Sequence, residues 1–143
     1  MTGRGAAILL LLVFLAGCGT DEAQDLAVSE ISVLAPLPGQ SAAVAYFSLH
    51  NATPTAMTLR RVSSPDFASV EMHTTYFDNG VAHMQALESL TIAELSQVEF
   101  SPGGHHLMLM QPLANVEPGD EVTLDFHYND KRSLSARATV KSR

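Results

Sequence analysis

The chain has 143 residues, 8 Lys and Arg against 15 Asp and Glu, a net charge of −7, and one cysteine. That length suits a single domain, and the acidic balance excludes a nucleic acid held on a basic face. A lone cysteine also excludes CxxC redox centres and internal disulfides.

The chain opens MTGRGAAILLLLVFLAGCGT, with Arg4 as its one charge and an 11-residue apolar run from Ala6 to Ala16. Such a run is too short to span a bilayer and reads as a signal-peptide core. The segment Leu15-Ala16-Gly17-Cys18 resembles a bacterial lipobox. The resemblance implies cleavage before Cys18 and lipidation of that cysteine, the alternative being a plain secretory signal with a chance cysteine. Residues 1–17 then form a lipoprotein signal peptide, 18–26 a lipidated N-terminus and polar tether, and 27–143 the folded domain. Cleavage removes 17 of the 143 residues and leaves 126, enough for a core. It also removes Arg4, which takes the net charge to −8. Acylation would consume the only thiol, which excludes cysteine nucleophiles and blue-copper sites, since these need a cysteine ligand. The acyl chains would hold the domain to a membrane without spanning it. Gly19 after the lipid cysteine, in place of an aspartate, favours the outer membrane of a Gram-negative cell.

Beyond the tether, short apolar runs alternate with turn residues. LAVSEISVLAP and SAAVAYFSLHN flank PLPGQ; AMTLRRV, SVEMHTTYF, VAHMQAL, QVEF, HHLMLMQPL, EVTLDFHY and LSARATVK follow, separated by NATPT, SSPDFA, SPGG, VEPGD and NDKRS. Spacing near ten residues with Pro, Gly and Asn-Gly punctuation predicts an all-β antiparallel sandwich or barrel. ALESLTIAELSQ is the one weakly helical stretch.

The segment GGHHLMLM, 103–110, carries the chemistry. Side chains alternate faces along a strand, so His106, Met108 and Met110 share one face while His105, Leu107 and Leu109 share the other. With the leucines in the core, an imidazole and a thioether point outward together. A second pair lies in EMHTTYFDNGVAHM, where Asn79-Gly80 signals a two-residue type I′ hairpin. In that register Asp78 pairs with Val81 and Thr75 with Met84, and His73 becomes a diagonal neighbour of Met84 on the same face. A three-residue loop would break this parity. Two His plus Met pairs make an N₂S₂ set of uncharged, soft ligands. Such a set suits Cu(I) and fits zinc or calcium poorly, because those ions favour thiolates or carboxylates.

His73, ten intervening residues, Met84, twenty-one intervening residues, and His106-Leu107-Met108 match H-x10-M-x21-H-x-M. That pattern is similar to the signature of the periplasmic copper chaperone family PCuAC, and GGHHLML resembles its Gly-Gly-x-His-x-Met-Leu segment. AVAYFSLHN, SSPDFASVEMH and PGDEVTLDF extend the resemblance over roughly residues 28–140. The resemblance implies copper ligands at His73, Met84, His106 and Met108, with Met110 and His105 as accessory candidates. It also implies a cupredoxin-like Greek-key β-barrel or sandwich without the usual cupredoxin metal site. The implied role is to bind Cu(I) outside the cytoplasm and pass it towards the copper A centre of cytochrome c oxidase or to another copper chaperone. The lipobox departs from the many family members that are free periplasmic proteins.

Other histidines read differently. Met72 should oppose His73 and enter the core, His83 should oppose Met84, and His50 and His127 lie in other strands as structural or exposed residues. The carboxylates are scattered, with no acid and base pair at a defined spacing. No nucleophile elbow, triad or phosphate loop is present in the sequence, so the expectation is a carrier and not an enzyme. Two other classes remain open: a copper-sequestering tolerance protein, and a structural lipoprotein in which the His and Met side chains are packing.

Overall fold

The structure, a computed structural model, describes residues 25–143. The expected signal peptide and the expected lipidation site, Cys18, lie outside the described residues. Ten strands follow in order: β1 Leu26–Leu34, β2 Ala42–Asn51, β3 Met57–Ser63, β4 Phe67–Asp78, β5 Val81–Leu87, β6 Leu90–Ile92, β7 Ser96–Phe100, β8 His105–Pro112, β9 Glu121–Tyr128 and β10 Ser133–Lys141. They form one sheet ordered β5-β4-β8-β7-β2-β1-β10-β9-β3-β6. The connections from β2 to β3 and from β3 to β4 each cross between its two halves, as in a Greek key.

The sheet folds over so that its halves share one core. Phe47 of β2 stacks on Phe100 of β7 at 4.2 Å and meets Phe126 of β9 edge-on at 5.1 Å. The hinge between the halves is β1, antiparallel to β2 and parallel to β10 through Val33 opposite Val140. One extra residue between Ser29 and Ser32 makes a bulge, with Glu30 at φ 54°. The bulge shifts the inward phase of β1 by one residue, so Leu26 and Val33 both reach the core although their spacing is odd.

The weakly helical stretch forms no helix; it supplies the end of β5, all of β6 and the start of β7. Its apolar residues Leu90 and Ile92 alternate with Thr91, and β6 pairs with β3 through Thr58 opposite Thr91. Tertiary pairing overrides the local preference here. Beside it, the buried Asn51 side chain ties down the loop to β3. It donates to the carbonyls of Thr55 (2.9 Å), Ile92 (3.2 Å) and Ala93 (2.9 Å), and its oxygen accepts from Thr53 N–H (3.0 Å) and Oγ1–H (2.7 Å). These bonds satisfy the buried amide completely, which is the condition for burying one cheaply.

Candidate metal site

Three neighbouring strands build the site: β5 at the sheet edge, β4 beside it, and β8 next. The β4–β5 turn has Asn79 at φ 49° and Gly80 at φ 80°, the paired positive angles of a type I′ hairpin. Asp78 therefore pairs with Val81 and Thr75 with Met84, which is the expected register. His73 and Met84 are diagonal neighbours on one face.

The pairing of β4 with β8 brings in the second half. His73 lies directly opposite His106, and Glu71 directly opposite Met108. The two imidazoles are 5.8 Å apart between centroids and tilted by 35°. On β8 the alternation is sharp: Leu107 and Leu109 are wholly buried, whereas Met108 and Met110 are half-buried on the other face. His73, Met84, His106 and Met108 thus share one face of three adjacent strands. Among the described residues no group of three or more His, Cys, Asp or Glu side chains could hold a metal. A metal bound on this face would therefore need the thioethers.

Exposure is graded across the set. His106 is 6 % exposed and Met84, on the free edge strand, 57 %. The jog between β7 and β8 explains why His106 is held so firmly. Gly104 N–H donates to Ser101 C=O at 3.0 Å, with Pro102 and then Gly103 at φ 81° between them, the pattern of a type II turn. The Gly104 carbonyl then accepts from Thr75 N–H of β4 at 3.1 Å and from His106 Nδ1–H at 3.1 Å. One carbonyl anchors both the strand pairing and the ring.

The remaining residues sort by face. His105 lies on the opposite face from His106, with its ring 5.5 Å from Phe100 and its buried Nδ1 unpartnered. Met110 keeps the face of His106 and Met108 but sits farther along β8, opposite Ser69. Met72 is buried in the core. His83 stacks on Tyr76 at 5.3 Å; His50 bonds to Ser29 and His127 to Ser63. Sequence reading passed over one neighbour. Glu71, two residues before His73 and so on its face, has Oε2 3.0 Å from His73 Nε2. The Glu-x-His spacing within a strand was the available signal.

A family model described as "Putative lipoprotein LpqE-like" matches residues 26–140. The chain belongs to the LpqE-like family. Among curated relatives of this LpqE-like chain, an uncharacterized protein of Rickettsia prowazekii (strain Madrid E) is 33 % identical over 86 residues, 59 % of this chain and 48 % of that protein. The chain thus matches about half the length of that relative. "Putative lipoprotein Lxx21020" of Leifsonia xyli subsp. xyli is 27 % identical over 96 % of this chain and 89 % of its own length. Among solved structures, the solution structure of CuI-DR1885 from Deinococcus radiodurans is 30 % identical with a TM-score of 0.66, covering 83 % of this chain and 81 % of that one. The copper-bound PCuAC domain from PmoF2 has a TM-score of 0.69 at 22 % identity, over 83 % of this chain and 94 % of that domain. The LpqE-like domain therefore has the cupredoxin-like all-β fold of PCuAC domains, as its sequence signature implied.

Proposed function

We propose that this protein binds Cu(I) through His73, Met84, His106 and Met108 and hands it to an acceptor outside the cytoplasm. One observation carries the reading: the β4–β8 and β4–β5 registers bring two imidazoles and two thioethers to one face of three adjacent strands. Uncharged soft donors favour monovalent copper over the harder divalent ions. The copper-loaded state of the 30 % identical Deinococcus protein supports the same cargo.

The graded exposure supports exchange over storage. His106 and His73 are the anchors, and Met84 is the exposed ligand an acceptor reaches first. Displacement of Met84 by an incoming ligand, then of Met108, would release copper stepwise without a free ion. The copper A centre of cytochrome c oxidase is the proposed destination, with another copper chaperone as intermediate. Cys18 acylation would keep the domain at a membrane outside the cytoplasm, the outer membrane in a Gram-negative cell; the family's description as "Putative lipoprotein LpqE-like" supports the anchor. The role is that of a carrier without catalysis.

The test is a Cu(I) titration against a chromophoric chelator, run beside Met84→Ala and His106→Ala. One tight equivalent that weakens sharply in both variants is the expected result. Absence of competition, or affinity indifferent to both substitutions, would overturn the site. Delivery is tested by transfer to a copper A domain in excess chelator; transfer abolished by the chelator would reduce the role to sequestration.

A further inference from the structure

We propose that Glu71 is a positioning residue that sets the tautomer of His73, so that His73 binds metal through Nδ1 while His106 binds through Nε2. The inference rests on the copper-binding reading above and adds a residue to it.

Each imidazole has one nitrogen engaged by a group that can only accept. At His73 that group is the Glu71 carboxylate, 3.0 Å from Nε2. At His106 it is the Gly104 carbonyl, 3.1 Å from Nδ1. A neutral imidazole has one N–H, and it must face the acceptor. His73 is therefore the Nε2–H tautomer and His106 the Nδ1–H tautomer.

The other nitrogen of His73 gives independent support. Nδ1 is buried and has no hydrogen-bond partner. A proton there would be a buried donor without an acceptor, and the Nε2 lone pair would then face the carboxylate oxygens. Both features penalise that tautomer. An unprotonated Nδ1 is a lone pair shielded from water, the state a metal ligand needs.

The arrangement also places charge. Glu71 and Met108 are directly opposite, as are His73 and His106, so the four form a block two residues long across two strands. The carboxylate stands at the edge of an otherwise uncharged ligand set. Its side chain is half exposed, so it acts through its hydrogen bond to the ring and not as a desolvated charge. A carboxylate on the distal N–H of a ligating histidine fixes the ring and raises its basicity.

Nitrogen-15 spectra of histidine-labelled protein, recorded without metal and with Ag(I) as a diamagnetic stand-in for Cu(I), test the proposal. Without metal, His73 should show a protonated Nε2 and a bare Nδ1, with His106 reversed. With Ag(I), silver–nitrogen splitting should appear at His73 Nδ1 and His106 Nε2. Glu71→Ala should mix the His73 tautomers and weaken Cu(I) binding by about 10- to 100-fold, the range for loss of an outer-shell partner. Glu71→Gln, whose amide oxygen still accepts, should keep Nδ1 coordination with a smaller loss. A protonated His73 Nδ1 in the metal-free protein, splitting at its Nε2, or a Glu71→Ala spectrum identical to wild type would overturn the assignment. Silver that splits neither histidine would instead overturn the copper site, while the metal-free tautomers would still decide what Glu71 does.

Discussion

Leu107 and Met108 are adjacent on β8 and face opposite sides of the sheet, so truncating each should break a different property. Leu107 is wholly buried in the core cluster. Leu107→Ala removes about three methylene equivalents at about 0.8 kcal/mol each, near 2.4 kcal/mol of transfer free energy. The cavity left in a closed core raises the loss to about 3–4 kcal/mol. Met108 is half-buried on the ligand face, so Met108→Ala should cost only about 1 kcal/mol of stability. Its effect on copper should be the reverse. Loss of a thioether ligand should weaken Cu(I) binding by more than tenfold, or about 1.4 kcal/mol. Leu107→Ala, measured while still folded, should bind copper like wild type. Guanidinium denaturation gives the stabilities, and chelator competition gives the affinities on the same preparations. The reasoning fails if folded Leu107→Ala loses copper affinity as Met108→Ala does. It also fails if Met108→Ala unfolds the domain and leaves the affinity of the folded fraction unchanged.

Asn51→Ala should cost about 3 kcal/mol, because the Thr53 N–H and the Ile92 carbonyl lose their buried partner at about 1–3 kcal/mol each. Asn51→Asp should be no milder, since it loses all three donations and sets a charge against three carbonyls; urea midpoints check the order. Burial pushes the Tyr128 hydroxyl up to about 12, with the nearby Arg132 opposing the shift. A raised folded value means stability that is complete below pH 10 and lost as pH rises towards 12. That loss should reach about 2 kcal/mol at pH 12, and Tyr128→Phe, which also removes an unpartnered buried hydroxyl, should abolish this part of the pH dependence. Comparing denaturation of the two proteins at pH 9 and pH 11.5 isolates it. Cys18→Ala should move the protein from membrane to soluble fractions; equal distribution of the two forms would refute the anchor.

The sequence by itself determined what short range can encode. Period-two alternation marks the strands because a half-buried sheet demands it, and Asn79-Gly80 specifies positive φ at two positions, which sets the β4–β5 register and the face shared by His73 and Met84. The parity of His106, Met108 and Leu107 follows from the same alternation. Tertiary structure decided what depends on partners distant in the chain. The short strand Leu90–Ile92 forms because β3 offers it an edge, against a weak helical pattern. The extra residue at Glu30 changes which side chains of β1 reach the core, and no local turn signal announces it. The pairing of β4 with β8 sets His73 opposite His106 across 33 positions of sequence, and only the packing of the whole sheet selects that register. The roles of the Glu71 carboxylate and the Gly104 carbonyl depend on ring orientation, which is a property of the packed site and has no counterpart in residue spacing.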